Sequence, residues 1–98
     1  MPEVVYGFYG GELTKDNVTL EHIKPHSKGG KTTLSNLALS KNINNWVRSN
    51  KPLSCVFNRE AFEQYCEQFK SIKLPLFDGE EYIKEITKTV ERLLKQGQ

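Results

Sequence analysis

Glu21 and His22 are adjacent, and Asn36 and Asn45 follow His22 at distances of fourteen and twenty-three residues. One carboxylate, one imidazole and two carboxamides at these spacings suit a particular chemistry, the hydrolysis of a phosphodiester. That reaction needs an activated water, in-line positioning and neutralisation of charge on the phosphate and the leaving oxygen. An imidazole titrates near neutrality and is a suitable base for the water. A hard divalent cation held by a carboxylate and a carbonyl oxygen can neutralise the rest. Glu21 and Asn45 supply that oxygen pair. Neighbouring side chains on a strand point to opposite faces, so Glu21 and His22 take separate duties, metal for the first and water for the second.

Charge is distributed to match. The chain of 98 residues carries a formal charge of only +2, yet no acidic residue lies between Glu21 and Glu60. Lys24, Lys28, Lys31, Lys41, Arg48 and Lys51 all fall in that stretch. Lysines and arginines around such a site are what phosphate contacts require, because they neutralise the backbone and release its counterions. Lys24, Lys28, Lys31, Lys41 and Arg48 are therefore the candidate nucleic-acid contacts. His26 and Asn42 are further candidates: His26 lies four residues after His22 but across Pro25, hence in a loop, and Asn42 shares a helix face with Asn45.

The elements that must position these groups can be read from pattern. Gly7, Gly10 and Gly11 suggest a tight turn or knuckle within 4–11. Residues 17–23 alternate as a strand, with Val18, Leu20 and His22 on one face and Thr19, Glu21 and Ile23 on the other. Lys24-Pro25 ends that strand, and Gly29-Gly30 gives a flexible turn. Residues 34–39 read as a returning strand, and Ser40 as the N-cap of a helix reaching Arg48. Beyond Lys51, the spacings of Phe62, Tyr65, Cys66 and Phe69, and of Ile83, Ile86, Val90, Leu93 and Leu94, predict amphipathic helices over 59–70 and 80–95. Leu74-Pro75 separates them, and Asp78 is placed to start the second. The implied packing role for these helices is to cover the strand and helix unit, and Trp46 is read as a core residue, with a base-stacking platform as the alternative.

Length and composition set the bounds. A chain of this size has room for one domain, here a core of about 4–51 with a helical extension of about 52–98. The apolar fraction of 37% and charged fraction of 27% describe a soluble protein, with no long apolar run and no leader, so a cytoplasmic setting is expected. Cys55 and Cys66 form no CxxC pair and are expected to be reduced, buried thiols.

The run Leu20-Glu21-His22-Ile23, Pro25, Ser27, Gly29-Gly30, with Asn36-Leu37 and Asn45, is similar to the HNH endonucleases. The resemblance covers about residues 6–50. It implies an α+β fold, the ββα-metal arrangement of a strand hairpin plus helix, clasping a single divalent ion, Mg2+ or Mn2+. It passes the general-base role to His22, the metal ligands to Glu21 and Asn45, and to Asn36 the bracing of the loop that orients the histidine. Many such proteins carry two Cys pairs for a structural zinc. Here those positions are Tyr6, Tyr9, Lys41 and Asn44, so no structural zinc is expected, and packing by Tyr6, Phe8 and Tyr9 takes its place. The implied function is cleavage of DNA by nicking or double-strand cutting, with RNA as an alternative substrate. A homodimer or a larger nuclease or packaging complex is the implied assembly, in a bacterial or phage-infected cell, without a membrane partner. The alternative from another class is an HNH-fold module that binds DNA or protein without turnover.

Overall fold

The computed structural model describes residues 4–97. Its class is α+β: three short antiparallel hairpins and three α-helices. Val5–Tyr6 (β1) pairs with Glu12–Leu13 (β2), and the turn between them passes through Gly10 and Gly11 at φ of 99° and 85°. Val18–His22 (β3) pairs with Leu37–Lys41 (β4), with Thr19 opposite Ser40, Glu21 opposite Ala38 and His22 opposite Leu37. Asn42–Arg48 (α1) follows β4 directly. After Arg59–Phe69 (α2), the hairpin of Lys73–Leu74 (β5) and Phe77–Asp78 (β6) leads into Gly79–Gln96 (α3).

The alternation read along β3 is present: Glu21 and Ile23 are buried, whereas Val18 and Leu20 are exposed. Both amphipathic helices form. Asn58 caps α2 by accepting from the Ala61 amide, and Asp78 caps α3 by accepting from the amides of Glu80 and Glu81.

Four expectations are corrected. Residues 34–36 make a 3-10 turn, and the returning strand begins only at Leu37. Asn36 is buried, as are Ala38 and Ser40 at the alternate positions that follow. Ser40 caps no helix; it is a buried β4 residue, and the helix starts two residues later behind Lys41. Its register opposite Thr19 prolongs the ladder at the expense of the cap. Leu74-Pro75 does lie between the two helices, where it belongs to a hairpin. Trp46 is 77% exposed, and Cys55 is exposed as well, because the core is filled from other elements.

That core joins the two segments. Phe8, Ile23 and Ala38 pack with Leu53, Phe62, Tyr65, Tyr82, Ile86, Val90 and Leu93. Phe8 stacks edge-on against Tyr9, Phe62 and Tyr65, with ring centroids 4.9, 5.5 and 5.7 Å away. Aromatic packing thus occupies the knuckle, as the sequence suggested for Phe8 and Tyr9. Tyr6 is held differently: both of its backbone groups bond the Gln68 side chain.

The outer edge of β4 has no neighbouring strand, and side chains from α2 and α3 satisfy it. The Leu39 amide donates to the Tyr65 hydroxyl at 3.0 Å, and the Tyr82 hydroxyl donates to the Leu37 carbonyl at 2.6 Å. The two hydroxyls lie 2.8 Å apart. Tyr82 has spent its proton on Leu37, so Tyr65 must donate to Tyr82. The Leu39 carbonyl takes the Phe8 amide at 2.9 Å, and the Thr89 hydroxyl donates to the Ser35 carbonyl at 2.7 Å. Unpaired backbone groups on a buried edge are costly, and this arrangement leaves few.

Candidate active site

The β3–β4 hairpin and α1 bring Glu21, His22, Asn45 and Arg48 around one cavity of about 180 Å3, with Leu20, Pro25, His26 and Ser49. Three consecutive residues of β3 line it, so both faces of the strand contribute. From α1 come Asn45 and Arg48, three residues apart on one helix face, and the C-cap residue Ser49 follows them. Adjacent residues on the strand and one stripe of the helix therefore meet, as the sequence spacing requires.

Glu21 is 4% exposed. Burial pushes its carboxyl up to about 7, while the Tyr9 hydroxyl and the Arg48 guanidinium beside it pull the other way. Tyr9 is itself driven well above the usual phenol range, first by burial and then by the Glu21 charge. Arg48, a candidate nucleic-acid contact from the sequence, is 1% exposed. Its Nη1 donates to the Tyr9 hydroxyl at 2.9 Å and its Nε to the Lys51 carbonyl at 3.3 Å. Glu21 Oε2 and Arg48 Nη2 are buried without a hydrogen-bond partner. Buried polar atoms are rarely left so. Both residues line the same cavity, one presenting a negative atom and the other a positive one.

His22 is partly exposed at the mouth of the cavity. Its Nε2 lies 2.9 Å from the Thr32 hydroxyl, and its ring centroid is 6.0 Å from that of His26, which sits exposed in the 3-10 turn after Pro25. In the tautomer with the proton on Nε2, donated to Thr32, Nδ1 carries the lone pair.

Asn36 is buried behind this group and fixes the chain immediately after His22. Its carbonyl accepts from the Ile23 amide at 2.8 Å and its Oδ1 from the Lys24 amide at 2.7 Å. Its Nδ2 donates to the carbonyls of Lys24 and Lys31, at 3.1 and 2.8 Å. Gly30 closes the same loop: a Cβ there would stand 1.8 Å from the Lys24 carbonyl oxygen. Residue type and loop closure are thus tied together.

Among the remaining candidates, Lys28 and Lys31 are exposed and Lys24 and Lys41 partly so. Among the described residues, every ion pair lies within 59–91, so these four lysines have no acidic partner. Asn42 is exposed and lines a separate groove next to the cavity. The sequence reading gave Tyr9 a packing role only and omitted Thr32. Tyr9 touches Arg48 and Glu21 through one hydroxyl, which nothing in its local pattern indicates, and Thr32 lies in a polar loop whose course only the Asn36 bonds decide.

The donor chemistry fits a divalent ion. Glu21 presents an unpartnered carboxylate oxygen and Asn45 a side-chain amide at the same cavity, both hard ligands. No cluster of three or more His, Cys, Asp or Glu side chains suited to a metal is found among the described residues, so any ion here has few protein ligands.

No curated protein and no solved structure matches the chain. Residues 9–48 match the family model described as HNH endonuclease, a span running from Tyr9 to Arg48, the two residues that flank the Glu21 carboxylate. Over that segment the chain is similar to the HNH endonuclease family.

Proposed function

We propose that this chain is a metal-dependent HNH endonuclease that hydrolyses phosphodiester bonds of DNA. The observation that carries this reading is the pair of orphaned buried atoms, Glu21 Oε2 and Arg48 Nη2, on two residues that line one cavity with His22 and Asn45. A cation for the first and a phosphate oxygen for the second would complete both.

In this reading Glu21 and Asn45 hold one divalent ion, magnesium or manganese, which when bound supplies charge neutralisation on the phosphate and the leaving oxygen. His22 accepts a proton from the attacking water at Nδ1, with Thr32 holding the ring through Nε2. Asn36 keeps the strand end and the following loop in register, so that the imidazole stays aimed. Arg48 reaches the phosphate from within the fold, and Lys24, Lys28, Lys31 and Lys41 neutralise flanking phosphates. RNA would satisfy the same groups. All of residues 4–97 act as one unit in this proposal, singly or as a dimer.

The test is nicking of supercoiled plasmid in magnesium, manganese or EDTA. Wild type nicks with metal and stops with EDTA. His22→Ala loses at least about a hundredfold in rate, the usual contribution of a general base, with circular dichroism and manganese binding unchanged. Full activity in that variant would refute the base assignment. One observation favours a second reading, a nucleic-acid-binding module without turnover: Arg48 already places a positive charge beside Glu21. Absence of manganese binding by calorimetry, together with no nicking in any metal, would select it.

A further inference from the structure

Trp46 is the only tryptophan of the chain and is 77% exposed, on the helix that also carries Asn45. It lines a groove of about 370 Å3 with Thr19, Asn42, Asn45 and Ser49. Three of these residues, Asn42, Asn45 and Trp46, are α1 residues spaced i, i+3 and i+4 and form one stripe of the helix, and Ser49 is its C-cap. Two of them, Asn45 and Ser49, also line the Glu21–His22 cavity. The groove is therefore the direct continuation of the cavity along α1. Ser49 marks the junction with a φ of 49°, a left-handed value uncommon outside glycine.

The lining is one flat indole surrounded by two carboxamides and two hydroxyls, with no acidic side chain. A partner's apolar surface would leave those four polar groups without partners. A nucleobase would not: its π-face stacks on an aromatic ring, and its edge takes hydrogen bonds from amides and hydroxyls. Lys41, which has no acidic partner among the described residues, stands at the start of the helix.

We propose that this groove is a subsite for an unstacked nucleobase flanking the scissile phosphate, with Trp46 as its stacking plate. The proposal rests on the nucleic-acid substrate of the reading above and narrows it. A base within an intact duplex cannot offer its face, so the preferred substrates are single strands, gaps or locally opened duplexes.

The single indole is its own reporter. In EDTA, a short oligothymidylate should quench Trp46 fluorescence, and an abasic oligomer of the same length should not. Trp46→Ala should weaken oligothymidylate binding roughly tenfold, the scale of one base stacked on an aromatic ring, while Trp46→Phe keeps most of it. With metal, a gapped substrate should be cut faster than a paired linear duplex, and Trp46→Ala should erase that preference through KM rather than kcat. Equal binding and quenching by the abasic oligomer would overturn the subsite. So would a wild-type dimer in sedimentation that Trp46→Ala converts to monomer, since the face would then belong to a second copy. Base-dependent quenching without nicking in any metal would uphold the subsite and sink the nuclease reading. Nicking without base-dependent quenching would do the reverse.

Discussion

Asn36 is the residue on which the geometry around His22 most depends. Its side chain accepts one hydrogen bond and donates two, all to the loop that leaves β3, and it is 6% exposed. Asn36→Asp keeps the shape and the acceptor but replaces the donor with an oxygen facing two carbonyls. Each lost bond that strands a buried partner matters more than the bond itself, so the variant should lose about 2–4 kcal/mol of stability in urea unfolding. Nicking should fall with it, because the strand end no longer holds the imidazole. A loss below about 1 kcal/mol would mean that the backbone bonds at Ile23 and Gly30 suffice to hold the loop.

At the scale of elements, α2 and α3 do more than bury apolar surface. They supply the polar groups that a third strand would otherwise give β4, through Tyr65 and Tyr82, and Thr89 holds Ser35 in the turn before it. The chain runs from the Leu39 amide through two hydroxyls to the Leu37 carbonyl, one residue beyond Asn36. Tyr82→Phe removes one oxygen and leaves both the Leu37 carbonyl and the Tyr65 proton without partners. It should cost about 1–3 kcal/mol, seen as a lower urea midpoint at unchanged slope. An unchanged midpoint would show that the aromatic packing alone secures the strand. The hairpin between α2 and α3 is set by equally local constraints. Gly79 allows α3 to start against the end of α2, where a Cβ would stand 1.7 Å from the Phe69 carbonyl oxygen.

For the molecule as a whole, charge is divided between two regions. The C-terminal half pairs its charges internally, as in Arg59 with Glu91 and Lys73 with Asp78 and Glu80. Surface pairs of this kind add little stability but leave little net field. Among the described residues, Lys24, Lys28, Lys31 and Lys41 around the cavity have no acidic partner. If these meet phosphates as proposed, duplex affinity should fall with salt at a log–log slope of about −0.9 for each phosphate neutralised. Lys24→Ala and Lys31→Ala should each make the slope shallower, whereas Lys70→Ala, whose lysine pairs with Glu67, should leave it unchanged. Equal slopes in all three variants would remove the two lysines from the interface.

The sequence by itself determined what short-range periodicity can encode. The alternation through Glu21 and His22, the helical spacings of 59–70 and 80–95 and the Asp78 cap are local patterns, and all are present, with helices at Arg59–Phe69 and Gly79–Gln96. It also determined which residues could carry the chemistry, because their types and spacing are independent of how the chain turns between them. The tertiary structure decided what depends on contacts distant in sequence. Arg48 is buried because Tyr9, far away in the chain, receives its guanidinium. Ser40 is a strand residue because Thr19 lies opposite it. Trp46 is outside because Phe8, Leu53 and Phe62 had already filled the space within. Apolar character favours burial but does not choose which apolar residue is buried. That choice falls to packing, and here it left the indole beside the site.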